Sequence, residues 1–288
     1  MTTALDDLRQ LARELTEDSQ ENMICGMRVR RVDAPGVSMP HIGESAFALV
    51  LQGRKRTVAA GRVFDYGPGD CVMATLAMPV TGQVTQATPE EPYLALAWPL
   101  DPAAIAGLVL EAGQETAPAV APVMAVHPAA APLLDAVRRL LTLARQPDDA
   151  AILRPLLDKE VLWRLLRGPY GPMLRQVGQA DSRVARVGRA IRWLRDHYAE
   201  TVRIEQLEQV SGMSAATLFR HFRAFTALSP LQYQKHIRLH EARALLDGDA
   251  RDVSQVAYRV GYDSPSQFAR EYARLFGHPP RRDMARAA

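Results

Sequence analysis

The chain has 288 residues, 48% of them hydrophobic and 23% charged, which is the composition of an ordinary globular protein of about two domains. Its two cysteines are too few for a secreted disulfide scaffold, and no apolar run approaches the length that spans a bilayer, so a reducing cytoplasm is the expected location. The net charge of +3 is uneven, because residues 181–288 hold 18 Lys and Arg against 12 Asp and Glu. This local basic excess favours a polyanion-binding domain, although a generic solvated surface explains it nearly as well.

The first 100 residues predict a short helix followed by β-structure. Leu5, Leu8, Leu11 and Leu15 have the spacing of an amphipathic helix and do not resemble a signal peptide. From about Met27 onward, Val-rich and aromatic runs are separated by Gly and Pro turns. The expected strands are FALVLQ, KRTVAA, RVFDY, DCVMATL, QVTQA and YLALAW. Their spacing is typical of a small antiparallel barrel or sandwich.

The segment from about 102 to 174 is rich in Ala and Leu and predicts helices. A 3.6-residue period over 133–144 and again over 156–166 indicates two of them, which serve equally well to cover a barrel or to form a dimer interface. The sequence GPYGP at 168–172 marks a break. After it, Asp181-Ser182 is expected to cap a helix that runs from about Arg183 to Tyr198.

An internal repeat lies in the last 85 residues. IEQLEQVSGMSAATLFRHF, at 204–222, aligns with VSQVAYRVGYDSPSQFAREY, at 253–272, once one residue is inserted after the glycine. In each copy a short helix ends at a glycine, Gly212 or Gly261, where a tight turn requires positive φ. A serine that follows is expected to cap the next helix. The repeat therefore predicts two helix-turn-helix units.

A long helix is expected between the two copies. Its apolar residues are spaced to pack on both units and to fix their separation. A rigid connector of this length places two recognition helices in successive major grooves, which lie about 34 Å apart on one face of B-DNA.

These segments resemble the AraC/XylS family of transcriptional regulators. The resemblance is carried by SGMSAATLFRHFRAFT, LSPLQYQKHIRLHEARALL, VAYRVGYDSPSQFAREYARLFG and HPPRRD. LVLQGRKR, LAMPVTGQV and PEEPYLAL resemble the N-terminal domain of one branch of that family, so the similarity spans almost the whole chain. One departure is Ala227, since many relatives have a glycine before the Ser-Pro pair that follows; the geometry of this turn is therefore open.

The resemblance implies an α+β protein with three parts. The first is a cupin-like antiparallel β-barrel with flanking helices that senses a small molecule or contributes to dimerisation, the second a helical connector, and the third an all-α DNA-binding domain. Their expected ranges are 1–100, 101–180 and 181–288, with helix-turn-helix units at about 204–225 and 252–276 and a linker helix at about 229–246.

The resemblance also implies which side chains face DNA. The expected base contacts are Ala216, Phe219, Arg220, Ser266, Gln267 and Arg270. The expected backbone contacts are Ser214, Arg223, Lys235, Ser264, Arg274 and Arg281. Arg220 and Arg270 are the best candidates for sequence readout, because a guanidinium donates two hydrogen bonds to guanine. A phosphate contact or a surface salt bridge explains either arginine equally well.

The predicted barrel lacks the features of a cupin enzyme. It offers only His41, with His127 outside it, where a metal site needs a histidine pair and a carboxylate. No phosphate loop, serine elbow or cysteine–histidine signature is found, so no catalytic activity, cofactor or metal is expected.

The barrel is expected to hold an apolar effector instead. The candidate pocket residues are His41, Val50, Cys71, Met73, Val84 and Trp98, although the same side chains could simply fill a small barrel. Cys25 and Cys71 raise the hypothesis of a thiolate sensor, against the simpler interpretation that each is a buried small hydrophobe.

The sequence therefore favours a sequence-specific DNA-binding transcription regulator that responds to a small-molecule effector. The expected partners are promoter DNA, the effector, a second copy of the chain and RNA polymerase. The alternatives are an effector-independent DNA binder and a cupin-type enzyme with a helical tail.

Overall fold

The computed structural model describes residues 2–16, 21–113, 121–247 and 252–287. An N-terminal half of antiparallel sheets with flanking helices precedes a C-terminal half built from helices, so the α+β prediction is confirmed. Helix α1 (Thr2–Glu14) opens the chain and buries Leu8 and Ala12 against the sheet, as its amphipathic pattern predicts.

The strands of the N-terminal half follow in chain order. They are β1 (Glu21–Ile24), β2 (Met27–Val32), β3 (Met39–Gly43), β4 (Ala46–Gln52), β5 (Arg54–Ala59), β6 (Arg62–Tyr66), β7 (Asp70–Ala74), β8 (Met78–Gln86), β9 (Tyr93–Pro99) and β10 (Met124–Pro128). The six expected strands correspond to β4 to β9.

Two sheets form the body of this half. One has six strands in the order β1-β2-β9-β4-β7-β10, and the other has four in the order β3-β8-β5-β6. Every strand pair in the described part of the chain is antiparallel. The sheets share one buried core but are not joined edge to edge by strand pairing within the described ranges, so the barrel stays open.

Strand β10 lies in the range expected to be a helical connector. It pairs with β7, where Val126 faces Val72 and His127 faces Cys71. This strand is only five residues long and pairs with a neighbour on one side. In the sequence MAVHP the alternation of apolar and polar residues is too short to predict a strand. The six-stranded sheet therefore extends beyond residue 100.

Helices cover this sheet and lead to the C-terminal half. They are α2 (Pro102–Glu111), α3 (Ala131–Thr142), α4 (Pro147–Arg167) and α5 (Gly171–Gly178). The two predicted helices correspond to α3 and α4, although α4 begins nine residues earlier than its apolar pattern indicated.

The C-terminal half consists of seven helices in its described residues. They are α6 (Arg183–Asp196), α7 (Ile204–Ser211), α8 (Ala215–Thr226), α9 (Pro230–Leu246), α10 (Val253–Arg259), α11 (Pro265–Phe276) and α12 (Pro280–Ala287). The Ser182 hydroxyl accepts from the Ala185 amide at 3.0 Å, which confirms the predicted cap of α6.

The buried side chains form two clusters. The larger cluster runs without interruption from the sheets into α6, α7, α8 and the start of α9. The smaller one joins the end of α9 to α10 and α11, and its largest members are Phe268 and Tyr272. The C-terminal half is therefore not packed as one unit.

The described residues lack two features that mark other classes of protein. No helix in the described ranges is both long and apolar enough to cross a bilayer. Nor do three or more His, Cys, Asp or Glu side chains from these ranges gather where a metal ion would bind.

Candidate DNA-binding interface

Each helix-turn-helix unit turns at the predicted glycine. Gly212 has φ +66° and Gly261 has φ +90°, the left-handed conformation that glycine adopts at little cost. A side chain is also excluded at Gly261 by close packing, since a Cβ there would lie 2.2 Å from the Ala199 carbonyl oxygen. Both turns therefore need a glycine for their backbone, and the second also for a close approach.

The two recognition helices begin differently. The Ser264 hydroxyl accepts from the Gln267 amide at 3.4 Å, so the predicted serine cap is confirmed for α11. Ser214 occupies the N-cap position of α8, but its hydroxyl donates to Thr217 Oγ1 at 3.1 Å. The Glu208 carboxylate of α7 instead accepts from the Ala215 amide at 2.5 Å. The prediction that Ser214 caps α8 through its hydroxyl is wrong, because that hydroxyl bonds to the Thr217 side chain and makes no capping bond to a backbone amide.

Helix α8 presents one face to solvent and one to the core. Leu218 and Phe222 are fully buried, as expected of structural residues. Ala216, Arg220 and Arg223 are exposed at i, i+4 and i+7, on one side of the helix. Phe219, the remaining predicted contact on this helix, is only half-exposed.

Helix α11 has the same division. Phe268 and Tyr272 are fully buried, while the predicted DNA-facing residues of this helix are exposed along one side. These exposed residues are Ser266, Gln267, Arg270 and Arg274. The structure thus brings the predicted contacts of each unit onto a single solvent-exposed face.

Two of the predicted backbone contacts lie outside the recognition helices. The Lys235 ammonium on α9 pairs with the Glu271 carboxylate of α11 at 2.8 Å, so this cation is already neutralised. Gln267 donates to the same carboxylate at 3.2 Å. Arg281, on α12, is exposed. Lys235 is therefore tied to the fold in a way that the sequence did not predict.

Arginines outside the recognition helices donate hydrogen bonds to the two turns, and the sequence did not predict these contacts. On α6, Arg189 donates to the carbonyls of Val210 and Ser211 at 3.0 and 3.1 Å, and Arg186 donates to the Gly212 carbonyl at 3.0 Å. These bonds satisfy carbonyl groups at the end of α7 that lack a helical partner. Basic residues one turn apart on α6 were the only local signal, and they do not reveal a contact more than 20 residues away.

Helix α9 supplies the corresponding arginine for the second unit. Arg238 donates to the Gly261 carbonyl at 2.6 Å and to the carbonyls of Tyr198 and Glu200 at 2.7 and 2.9 Å. Its side chain therefore ties the second turn to the segment that follows α6.

The predicted effector-pocket residues do not lie together. Val50, Cys71 and Met73 are fully buried in the shared core, and Val84 is nearly so. Trp98 lines a cleft of about 800 Å³ between the sheet and α6. The pocket lining from sequence remains a prediction, and of its residues Trp98 lies beside this cavity of ligand size.

His41 lies where the sheets meet the C-terminal half. A Cβ on Gly82 would lie 3.0 Å from the His41 ring and 3.2 Å from Lys55 Cε, so these two side chains converge. Burial, then the neighbouring Lys55 charge, lowers the pKa of His41. Burial likewise lowers the pKa of Lys55 to about 8. His240 of α9 interacts electrostatically with His41, which places β3 against α9.

Both cysteines are free thiols. Cys71 is fully buried, and burial, then the Asp70 carboxylate, raises the pKa of its thiol. Burial also raises the pKa of Cys25, although the nearby Arg154 acts in the opposite direction. Raised thiol pKa values disfavour the thiolate, so both sites favour the interpretation of a small hydrophobe over that of a reactive sensor.

Two family models match this chain. The model for the AraC-type transcriptional regulator N-terminus matches residues 23–173, and a helix-turn-helix domain model matches residues 207–286. The first match begins within β1 and covers the other nine strands and α2 to α4, and the second covers both turns described above.

Curated relatives match over about half of the chain. RhaS of Enterobacter sp. (strain 638), an HTH-type transcriptional activator, is 31% identical over 151 residues, which are 51% of this chain and 53% of RhaS. RhaS of Salmonella arizonae is 30% identical over 148 residues, with the same shares of the two chains. The chain thus spans about half the length of the curated relatives it matches.

Solved structures show a similar arrangement of nearly the whole chain. An apo variant of ToxT from Vibrio cholerae has a TM-score of 0.61 at 8% identity, covering 91% of this chain and 98% of ToxT. Wild-type ToxT with a bound unsaturated fatty acid has a TM-score of 0.58 at 8% identity, covering 90% and 93%. At such low identity the likeness concerns the fold alone.

Proposed function

Because the chain belongs to the AraC-type transcriptional regulators, we propose that it binds promoter DNA through its two helix-turn-helix units and regulates transcription in response to a small-molecule effector. This role places the protein in the cytoplasm with the DNA. The observation that carries the proposal is that each recognition helix presents an exposed face with an arginine, Arg220 or Arg270, that has no acidic partner among the described residues. Such unpaired guanidiniums are available for phosphate or base contacts.

Binding to the promoters of its own and neighbouring genes tests the proposal. The assay compares two salt concentrations and includes unlabelled competitor DNA, because phosphate contacts make affinity fall steeply with salt. Arg220→Ala and Arg270→Ala are each expected to cost about 1–3 kcal/mol of specific binding if the guanidinium reads a base. Arg62→Ala, on the exposed side of β6, is the matched control. Weak, unselective binding by the folded protein would contradict the proposal.

We expect the exposed backbone contacts to act differently from the base contacts. Removing Arg223, Arg274 or Arg281 should weaken binding to all sequences alike and reduce the salt slope by about one unit each. Lys235→Ala should change the slope less, because Lys235 is paired with Glu271. The hydroxyls of Ser214 and Ser264 are proposed to contact phosphates at the helix starts.

An effector is proposed for the N-terminal half. ToxT, whose fold this chain shares, has been solved with an unsaturated fatty acid, which supports a small-molecule ligand here. The alternative is a regulator that needs no effector. A thermal-shift screen of small molecules separates the two, because a ligand that binds the folded state raises its melting temperature. A screen without hits, on protein that binds DNA, would favour the alternative.

A homodimer is proposed through α4. Ile152, Leu156 and Trp163 lie on one side of this helix, and Ile152 and Leu156 are 72% and 62% exposed. Large exposed apolar patches mark interaction sites, so a second copy is the proposed partner. Light scattering on the native chain and on Leu156→Glu tests this: the native chain should have twice the mass of the variant.

RNA polymerase is a further proposed partner, supported by the activator name of RhaS and tested by co-precipitation with the DNA complex.

A further inference from the structure

One carboxylate lies among the predicted DNA contacts of the second helix-turn-helix unit. Glu271 belongs to α11, the helix that also carries Gln267 and Arg270, and its side chain is 17% exposed. Its counterpart in the first unit, by the internal repeat, is His221. The first unit makes its turn without an acid at this position, so the fold of a unit does not require Glu271. A carboxylate beside DNA phosphates also lowers affinity through repulsion of like charges.

Three side chains donate hydrogen bonds to Glu271. The Tyr262 hydroxyl, in the second turn, donates to Oε2 at 2.8 Å. Lys235 of α9 and Gln267 of α11 donate to Oε1 at 2.8 and 3.2 Å. Burial acts to raise the pKa of Glu271, but the three hydrogen bonds, that of Lys235 first, lower it below its ordinary value. The carboxylate is therefore ionised at neutral pH and can only accept hydrogen bonds.

This carboxylate fixes the direction in which the Gln267 amide points. A glutamine amide has a donor side and an acceptor side, and only the donor Nε2 can face an ionised carboxylate. Oε1 of Gln267 therefore points away from Glu271, and it has no hydrogen-bond partner among the residues that the structure describes. Gln267 is exposed on the predicted base-contacting side of α11. It thus offers DNA an acceptor in a fixed place, together with the second hydrogen of Nε2.

An acceptor in a fixed place discriminates between bases. In the major groove adenine and cytosine present a donating amino group, whereas guanine and thymine present acceptors. Adenine fits Gln267 best, because its N6 amino group donates to Oε1 while its N7 accepts from Nε2. Guanine places its O6 acceptor against Oε1 and is rejected. A glutamine amide that is free to turn over would direct Nε2 to guanine and tolerate it.

The same carboxylate neutralises a cation. The Lys235 ammonium is a predicted phosphate contact and is 46% exposed, but it is paired with Glu271 at 2.8 Å. A paired cation contributes less to the binding of phosphates, which supplies most affinity for DNA of any sequence. Glu271 therefore weakens binding to all sequences while it restricts the choice of base.

We propose that Glu271 is a specificity-determining residue of the second unit, which holds the Gln267 amide in the orientation that selects adenine and keeps Lys235 from the phosphates. The inference rests on the proposed function and deepens it, because it names the base that one predicted contact reads and the residue that enforces the choice. Removal of the carboxylate should then have two opposite effects: base selectivity falls and affinity for DNA of random sequence rises.

Selection of binding sites by the native full-length chain tests the choice of base. The probe is the region of the chain's own promoter that it protects, with the bases randomised, and bound fragments are sequenced. Comparison with Gln267→Ala identifies the position that this side chain reads. We expect adenine there, at least about fivefold over guanine, which is the lower end of what one bidentate contact supplies. Guanine or thymine at that position, or no position that depends on Gln267, overturns the proposal.

Variants of Glu271 test the role of the carboxylate. Glu271→Gln keeps the size of the side chain, but its amide pairs with Gln267 in either orientation. Glu271→Ala places no new group beside Gln267. In each variant the preference for adenine over guanine should fall at least about fivefold. In a Gln267→Ala background the same changes should leave base choice unaltered. An unchanged preference in either folded variant would contradict the role of Glu271.

Affinity for DNA of random sequence should change in the opposite direction. Glu271→Gln should bind it at least about threefold more tightly at low salt, with a salt slope steeper by about one unit, because Lys235 is released. Glu241→Gln removes the same charge on α9, on another side of that helix from Lys235, and should change both quantities much less. A purely structural role predicts weaker binding by Glu271→Gln, and that result would refute the inference.

The outcomes separate this inference from the proposed function. A native chain that selects no sequence from the randomised promoter region would refute sequence-specific DNA binding itself. Selection of a defined sequence with guanine or thymine at the position read by Gln267 would refute the inference alone. Lys235→Ala should keep the preference for adenine, because it leaves the bond between Gln267 and Glu271 in place. Loss of the preference in Lys235→Ala would assign the selection to the lysine.

Discussion

The two helix-turn-helix units share a sequence pattern but differ in what their buried side chains contact. Leu207, Leu218 and Phe222 of the first unit belong to the cluster that continues into the sheets. Phe268 and Tyr272 of the second belong to a separate cluster with the end of α9. A change in the N-terminal half therefore reaches the first unit through continuous packing, and the second through the contacts of α9 and α11 with β3.

The boundary between the clusters runs through α9. Tyr233, near its start, packs on Phe222 with 5.4 Å between centroids and donates from its hydroxyl to the Ala77 carbonyl at 3.1 Å. Leu239 and Ala242, farther along the same helix, are in the second cluster. Helix α9 thus links the N-terminal half to both helix-turn-helix units.

Truncating a core aromatic should have the largest effect and should differ between the units. Phe222 and Phe268 are both fully buried, so replacing either with Ala is expected to cost about 3–5 kcal/mol of stability. Phe268→Ala should remove hydrogen-exchange protection from α10 and α11 while the strands keep theirs. Phe222→Ala should lower protection in the strands as well. Equal loss in the strands for both variants would show that the two clusters unfold together.

Acid should weaken the contact between β3 and α9. Burial, then the nearby His236, His41 and Arg243, lowers the pKa of His240 to about 3 from an ordinary 6.5. Because the unfolded chain takes up the proton first, stability is fully present above pH 6.5 and falls as the pH drops towards 3. We expect the free energy of unfolding to be about 2 kcal/mol lower at pH 5 than at pH 7 from this residue.

Urea denaturation at several pH values measures this effect. His240→Leu should reduce the dependence on pH in this window, and His197→Gln, which alters a ring stacked on Trp193 outside this contact, serves as the control. An unchanged pH dependence in His240→Leu would contradict the assignment.

Removing one tyrosine hydroxyl from each cluster should separate their roles. Tyr233→Phe leaves the buried Ala77 carbonyl unpaired and is expected to cost about 1–2 kcal/mol. Tyr272→Phe removes a bond to the buried Asp283 carboxylate within the second unit. Thermal unfolding is followed by probes of the sheets and of the helices. Tyr233→Phe should lower the melting temperature of the strands, and Tyr272→Phe should lower that of the helices alone. If Tyr272→Phe destabilised the strands and Tyr233→Phe did not, the second unit would be the one coupled to the sheets.

The residues that end the recognition helices should give the smallest effects, with opposite signs. Ala227 has φ +62° and Gly277 has φ +79°, so both are left-handed, a conformation that costs a residue with a Cβ about 1–2 kcal/mol. Ala227→Gly should therefore stabilise the first unit by up to about 1 kcal/mol, and Gly277→Ala should destabilise the second by about 1 kcal/mol. Chemical denaturation measures both. Destabilisation by Ala227→Gly would mean that unfolded-state entropy outweighs strain.

Local signals predicted a large part of this molecule. Alternating or aromatic-rich runs indicated β4 to β9, and the repeat indicated the two turns, where only glycine adopts the observed backbone at low cost. Strand β10 escaped prediction because an edge strand of five residues carries little periodic signal. The predicted cap of α8 was wrong for a different reason, since the Ser214 hydroxyl bonds to the Thr217 side chain and the Glu208 carboxylate of the preceding helix accepts from the first amide of α8.

The candidate DNA-binding surface was partly predictable. Exposure of Arg220 and Arg270 follows from helical periodicity once the buried Leu218 and Phe268 are identified. Two contacts join residues more than 20 positions apart. One is the ion pair of Lys235 with Glu271, and the other is the hydrogen bond from Arg189 to the first turn. No local pattern encodes such contacts.

The sequence by itself determined the α+β order, the duplicated helix-turn-helix pattern and the exposed faces of the recognition helices, because each depends on periodicity, glycine or capping over a few residues. Only the tertiary structure decided that the first unit shares its core with the sheets, that the second does not, and that a cleft lies between the sheet and α6. These features depend on which distant surfaces meet, and packing of distant surfaces is set by the shape of the whole chain.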